Sequence, residues 1–161
     1  MRCLVVYESL YGNTMEVARA IALGTGTVLE TEAVEVGDAP SAIGSDIGLL
    51  IVGGPTHAFG MTRPSTREDA QKEKYAEGFT GEFISTGPGI REWLGTVSIP
   101  HGTSFATFDT RITKPHLPGS AAAGAAKRLR RKRLREAMDP ESFWVDGATG
   151  PLSDGELERA E

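Results

Sequence analysis

Ser9-Leu10-Tyr11-Gly12-Asn13-Thr14 stands between the apolar run Cys3–Tyr7 and a stretch of helical periodicity. A buried strand meets a hydroxyl-rich turn holding one glycine, and the turn opens a helix. In such a turn, backbone N–H groups and short hydroxyls converge on an anion, and the helix N-terminus adds partial positive charge. Ser9 and Thr14 supply donors, and Gly12 permits a positive φ or a close backbone approach. The turn has no lysine, which excludes a triphosphate-cradling loop, and it lacks the three spaced glycines of a dinucleotide fingerprint. A terminal monophosphate is the ligand group that remains. The plain alternative is a surface turn capped by Asn13.

Two later turns carry side chains that suit such a ligand. Pro55-Thr56-His57-Ala58-Phe59-Gly60 offers a histidine, an aromatic ring and a glycine; Phe108-Asp109-Thr110-Arg111 offers a second ring, a carboxylate, a hydroxyl and a guanidinium. A phosphate seat flanked by loops with aromatics describes a slot for a flat heterocycle on a phosphorylated chain. His57 titrates near neutral pH and is a candidate proton donor, although a lone loop histidine is more often a hydrogen-bonded bystander. His101 and His116 are too far apart to form a metal pair, and no Cys or carboxylate cluster completes one, so no metal is expected.

The elements that position these turns follow from patterning. Cys3–Tyr7 and Ile47–Val52 are continuous apolar runs, as in strands buried on both faces, and Gly53-Gly54-Pro55 is expected to stop the latter. Val28–Val36 alternates and reads as an edge strand, Thr103–Phe108 as a fourth strand and Phe143–Val145 as a fifth. Helices are expected over Asn13–Leu23, with Asn13 and Glu16 at capping-box spacing, and over Pro88–Leu94, Ser120–Arg135 and Ser153–Ala160. A short helical turn is expected after Pro40. Phe59–Thr86 reads as a surface loop or lid, with room for a short helix in its charged centre, Arg63–Gly78. Trp93 and Trp144 are read as core residues. Alternation of strand and helix means an α/β sandwich with a parallel sheet, spanning residues 1–161 as one domain. Ligands in such sheets sit beyond the carboxyl ends of the strands, where strand order reverses, so the three turns should converge.

Composition narrows the function classes. The chain has 161 residues, 39% hydrophobic and 24% charged, with a net charge of −5. Seven of its 17 basic residues lie between Lys127 and Arg135, which leaves 10 against 22 acids elsewhere. That acidic surface repels nucleic acid and steers basic partners. The basic run lies on an alanine-rich helix and is read as its solvent face, with docking of an acidic partner as the alternative. No apolar stretch approaches the roughly 18 residues that span a bilayer, no signal peptide is evident, and Cys3 stands alone, so a cytoplasmic protein is expected.

Ser9-x-Tyr11-Gly12-Asn13-Thr14 resembles the flavodoxin phosphate loop. Gly53-Gly54-Pro55-Thr56 with Phe59-Gly60 is similar to the first flavin loop of that family, and Phe105–Arg111 to its fourth strand and second flavin loop. Gly150–Glu158 looks like the closing segment of flavodoxin-like proteins from high-GC bacteria. The resemblance implies a three-layer sandwich with a five-stranded sheet in the order 2-1-3-4-5, the order that defines this fold, and FMN at its switch point. It implies Ser9–Thr14 at the phosphate and Pro55–Gly60 and Phe108–Arg111 around the ring, with Asp109 as the acid nearest the flavin. Phe59 and Phe108 stand where many flavodoxins have Trp and Tyr. Arg133-Leu134 stands where relatives commonly have a glycine–aromatic pair. The implied function is electron transfer with a reductase or acceptor protein. FMN-dependent oxidoreduction of a quinone or porphyrinogen is the alternative, and a flavin-free regulatory or scaffolding domain a further one.

Overall fold

The computed structural model describes residues 1–161. The chain runs β1 (Arg2–Tyr7), α1 (Asn13–Thr25), β2 (Glu30–Glu35), a 3-10 turn (Val36–Asp38), β3 (Ile47–His57) and β4 (Gly60–Met61). It continues through α2 (Pro64–Ala76), α3 (Ile90–Thr96), β5 (Ser104–Ile112), α4 (Ala121–Arg131), β6 (Arg135–Glu136), β7 (Glu141–Val145) and α5 (Glu156–Ala160). Strands pair in the order β2-β1-β3-β5-β6, with β7 also on β5 and β4 antiparallel on the end of β3. The expected five-strand order is therefore present, its last strand divided in two: Ser104 and Phe105 face Arg135 and Glu136, while Phe108–Ile112 face Glu141–Val145.

Period-two alternation sends each central strand's side chains to two helical layers. Leu4, Val6, Leu50, Val52 and Phe105 join α3 and α4 in one core, where Ala121, Ala125, Ala126 and Leu129 form the buried stripe of α4. Cys3, Val5, Tyr7, Ile51, Ala106 and Phe108 join α1 and α5 in the other. β2 takes the flank, its Glu30 and Glu32 exposed, which protects the unpaired edge with charge. The basic face of α4 is only partly free. Arg130 pairs with Glu136, Arg128 donates to the Arg91 carbonyl at 2.9 Å, and Lys132 donates to the Val97 carbonyl at 3.0 Å.

Several boundaries differ from the sequence reading. β3 runs through Gly53-Gly54-Pro55 rather than stopping there, because its pairing with β5 continues to Pro55 and Thr110. Gly53 is a strand residue that admits the Phe108 ring: a Cβ there would lie 2.1 Å from it. β5 likewise continues to Ile112. α1 runs on to Thr25, and the turn expected after Pro40 lies before it, where the Glu35 carboxylate accepts from Gly37 N at 2.7 Å. Residues 63–78 carry a full helix of 13 residues, entered through Pro64 and closed by an Arg63 N–H donated to Thr66 Oγ1. α5 begins after Gly155, not at Ser153. Trp144 is half-buried, outside the core, beside Arg111 and His116.

Candidate functional site

β1 ends at Tyr7, and the chain drops Glu8 and Ser9 into the interior before turning into α1. Ser9 N donates to Ser85 Oγ at 2.9 Å, and Gly12 N donates to Ser9 Oγ at 3.0 Å. Gly12 precedes the helix with φ +100°, a conformation that L side chains rarely take, and no side chain caps the first turn of α1. Asn13 is thus the first helical residue and not the cap expected of it. The uncapped N–H groups of a 13-residue helix point to the loop, as an anion seat requires. Thr14 is buried, with its Oγ1 2.7 Å from Thr110 Oγ1. If Thr110 donates in that pair, the Thr14 hydroxyl keeps its own proton for a ligand.

A cavity of about 220 Å³ opens above this loop. Ser9, Leu10, Tyr11, Asn13 and Thr14 line it from the first turn, Pro55, Thr56, His57, Ala58 and Phe59 from the second, and Thr110 and Arg111 from the third. The three turns converge. A larger depression of about 680 Å³ lies along the β2 flank between Arg2 and Ile47, but it has neither a helix N-terminus nor a place at the strand-order reversal. The smaller cavity is therefore the candidate site.

Four expected contacts are placed elsewhere. Phe108 is 2% exposed and its ring packs on Gly53 and against Phe143, so it cannot stack on a ligand ring. Asp109 has no exposed surface. Its Oδ2 accepts from Thr56 Oγ1 (2.9 Å), Ser120 Oγ (2.6 Å) and Ala122 N (3.0 Å), which anchors the start of α4. Gly12 and Gly60 shape their loops without lining the cavity. Phe59 is 60% exposed at the rim. His57 is half-buried and its Nδ1 has no partner in the protein. Burial holds the imidazole below its ordinary pKa against the pull of Glu73 and Asp69, so it is neutral at neutral pH.

The sequence reading missed two features. α2 brings Ala70, Glu73 and Lys74 to the cavity wall, and an aromatic cluster of Tyr11, Tyr75, Phe79 and Phe83 fastens it over the Ser9–Thr14 loop. Beneath that loop lies a buried polar network. Glu8 accepts from Thr62 Oγ1 through Oε1 and from Ile90 N at 2.9 Å through Oε2. Arg67 donates to Thr62 Oγ1 (2.9 Å) and pairs with Glu92 (3.2 Å). Desolvation raises the Glu8 pKa, opposed by these hydrogen bonds and by Arg67. The one local signal was a charged residue, Glu8, directly after a buried strand.

This architecture defines a doubly wound α/β protein with a cavity at the switch point of strand order. No family model and no curated protein matches the sequence. Solved structures match the fold. An archaeal flavodoxin shares 20% identity over 99% of this chain and 91% of its own, with a TM-score of 0.63. Oxidised flavodoxin 1 from Bacillus cereus shares 16% identity over 99% and 92%, with a TM-score of 0.68. A flavodiiron core from Synechocystis shares 15% identity at a TM-score of 0.59, this chain covering 33% of its length. The chain has a flavodoxin-like fold.

Proposed function

We propose that the chain binds FMN in the cavity beyond β1, β3 and β5 and carries electrons between redox proteins. The observation that supports this most is the uncapped start of α1 behind Gly12, opening into a cavity shared with two other strand ends. Ser9, Asn13, Thr14 and the first-turn N–H groups would seat the phosphate. Pro55–Phe59, Thr110 and Arg111 would wall the ring. The flavin supplies the redox chemistry when bound; the protein supplies orientation and electrostatics.

The cavity volume favours a carrier over an enzyme. About 220 Å³ is below the roughly 300–1,000 Å³ of enclosed ligand sites, so a flavin seated there would leave part of its ring in solvent. An exposed ring edge suits transfer to a partner protein, and the acidic surface would steer a basic one. No helix is long and apolar enough to cross a membrane.

The purified protein should show the visible bands of flavin, or acquire them with added FMN, and release FMN on denaturation. A protein that takes up no FMN would refute the proposal. Electron exchange with a reductase should fall steeply with ionic strength. Appreciable NAD(P)H-to-quinone turnover by the protein alone would favour the oxidoreductase instead.

A further inference from the structure

We propose that Arg111, braced on Trp144, is the residue that sets the flavin's reduction potential, stabilising the negative charge that reduction places on the bound ring. The inference rests on the FMN reading above. The acid expected to oppose that charge, Asp109, is withdrawn from the cavity and spent on Thr56, Ser120 and the start of α4. The charged side chains lining the cavity are Glu73, Lys74 and Arg111. Glu73 and Lys74 belong to α2, above the phosphate loop, and Lys74 is paired with Glu77. Arg111 comes from the end of β5, among Thr110, Ile112 and Leu117.

Its surroundings leave its charge uncompensated. Arg111 makes no ion pair; Nη2 donates to the Leu117 carbonyl at 2.9 Å, and Cζ lies 5.3 Å from the centre of the Trp144 ring. His116 packs on the same ring at 5.9 Å. A carbonyl and an aromatic face fix the guanidinium in place while leaving its full positive charge to act on the cavity.

The oxidised ring is neutral. It takes two electrons and one proton to become the anionic reduced ring, and the electron donor is oxidised by two electrons. A fixed cation favours the anion over the neutral ring and so raises the potential; binding both forms equally would leave it unchanged.

The test uses the full chain loaded with FMN as wild type, R111Q and R111K. Oxidised-FMN and riboflavin affinities are read by fluorescence quenching, and the two-electron midpoint by titration with dithionite against a reference dye. R111Q should weaken the reduced form about tenfold more than the oxidised form, lowering the midpoint by about 30 mV. R111K should keep most of the wild-type value. W144L, which removes the brace, should lower the midpoint by less than R111Q. A midpoint in R111Q that is unchanged or higher overturns the inference while FMN binding stands. Equal weakening of both redox forms also overturns it. A wild type that binds neither FMN nor riboflavin removes the FMN reading itself, and this inference with it.

Discussion

The turns after β1 and β5 lie side by side at one end of the sheet, yet the chain uses them in opposite ways. After β1 the strand stops at Tyr7, and five of the six residues Ser9–Thr14 line the cavity. After Ala106 the strand continues to Ile112, so Phe108 and Asp109 are mid-strand residues sent into the two core layers, and the cavity is reached by Thr110, Arg111 and Ile112 at the strand's end. A turn offers its residues to a ligand, whereas a strand spends alternate ones on packing. Where the strand ends, more than which residues are present, decides what can be a contact.

Asp109→Ala should have the largest effect. Three donors in the interior would lose their acceptor, which should cost about 3 kcal/mol in urea unfolding. The midpoint of bound FMN should move far less than in R111Q. Undiminished stability with a raised potential would return Asp109 to the flavin.

The same contrast explains what the sequence could show. The β1 end is written locally: an apolar run, then Glu8-Ser9, then a helical period. The β5 end carries no such mark, since Phe-Asp-Thr-Arg-Ile has neither glycine nor proline to halt a strand, and its continuation depends on pairing with β3 and β7. Gly53-Gly54-Pro55 misled for the converse reason, because Gly53 answers a ring 55 residues away in sequence. α2 gave no apolar period, its buried side chains being Arg67 and Ala70. The partners of Glu8 lie 54 and 82 residues along the chain. The fold and the loop that opens α1 were legible because their signals are local; the β5 side of the cavity was half legible because tertiary pairing decides it.

Thr14→Val probes the turn after β1. It keeps the shape and removes one hydroxyl from the anion seat, so FMN affinity should fall about ten- to a hundredfold, or about 1.5–3 kcal/mol, with riboflavin nearly unchanged. Thr110→Val removes the same Thr14–Thr110 hydrogen bond from the β5 side and should weaken FMN by no more than about threefold. Equal losses for FMN and riboflavin in Thr14→Val would make the loop structural. His57→Ala should leave FMN affinity nearly intact.

Glu8 tests the foundation of the first turn. Its pKa is raised in the folded state by burial, so the neutral acid is the form that favours folding. That contribution is fully present below the ordinary glutamate value of about 4.3 and is lost as pH rises through the raised folded value. Glu8→Gln keeps an acceptor for Ile90 N and removes the titration. Its stability relative to wild type should therefore climb with pH across that window and then level off, measured by urea midpoints at each pH. A relative stability that falls with pH would show that Arg67 and the hydrogen bonds outweigh desolvation.

The smallest effect concerns two left-handed residues. Gly12 takes φ +100° at the anion seat, where glycine is the residue that fits. Arg133, between α4 and β6, takes φ +62° without being glycine, at the place where the family resemblance leads one to expect a Gly-aromatic pair. Its neighbour Leu134 is buried and fixes the entry to β6, while the Arg133 side chain is exposed and makes no hydrogen bond or ion pair. Arg133→Gly should relieve the left-handed strain, partly offset by the greater freedom of glycine in the unfolded chain. A net gain of about 0.5–1 kcal/mol is expected, a rise of about 2 °C in Tm for a chain of this size. FMN affinity should stay where it was. Gly12→Ala meets no close atom, its added Cβ lying 4.0 Å from Met15 Cε, so its cost of about 1–2 kcal/mol is conformational, and it should appear in FMN affinity as well as stability. Were Arg133→Gly instead to destabilise the protein, the turn would owe its shape to that arginine, and the two left-handed sites would be alike after all.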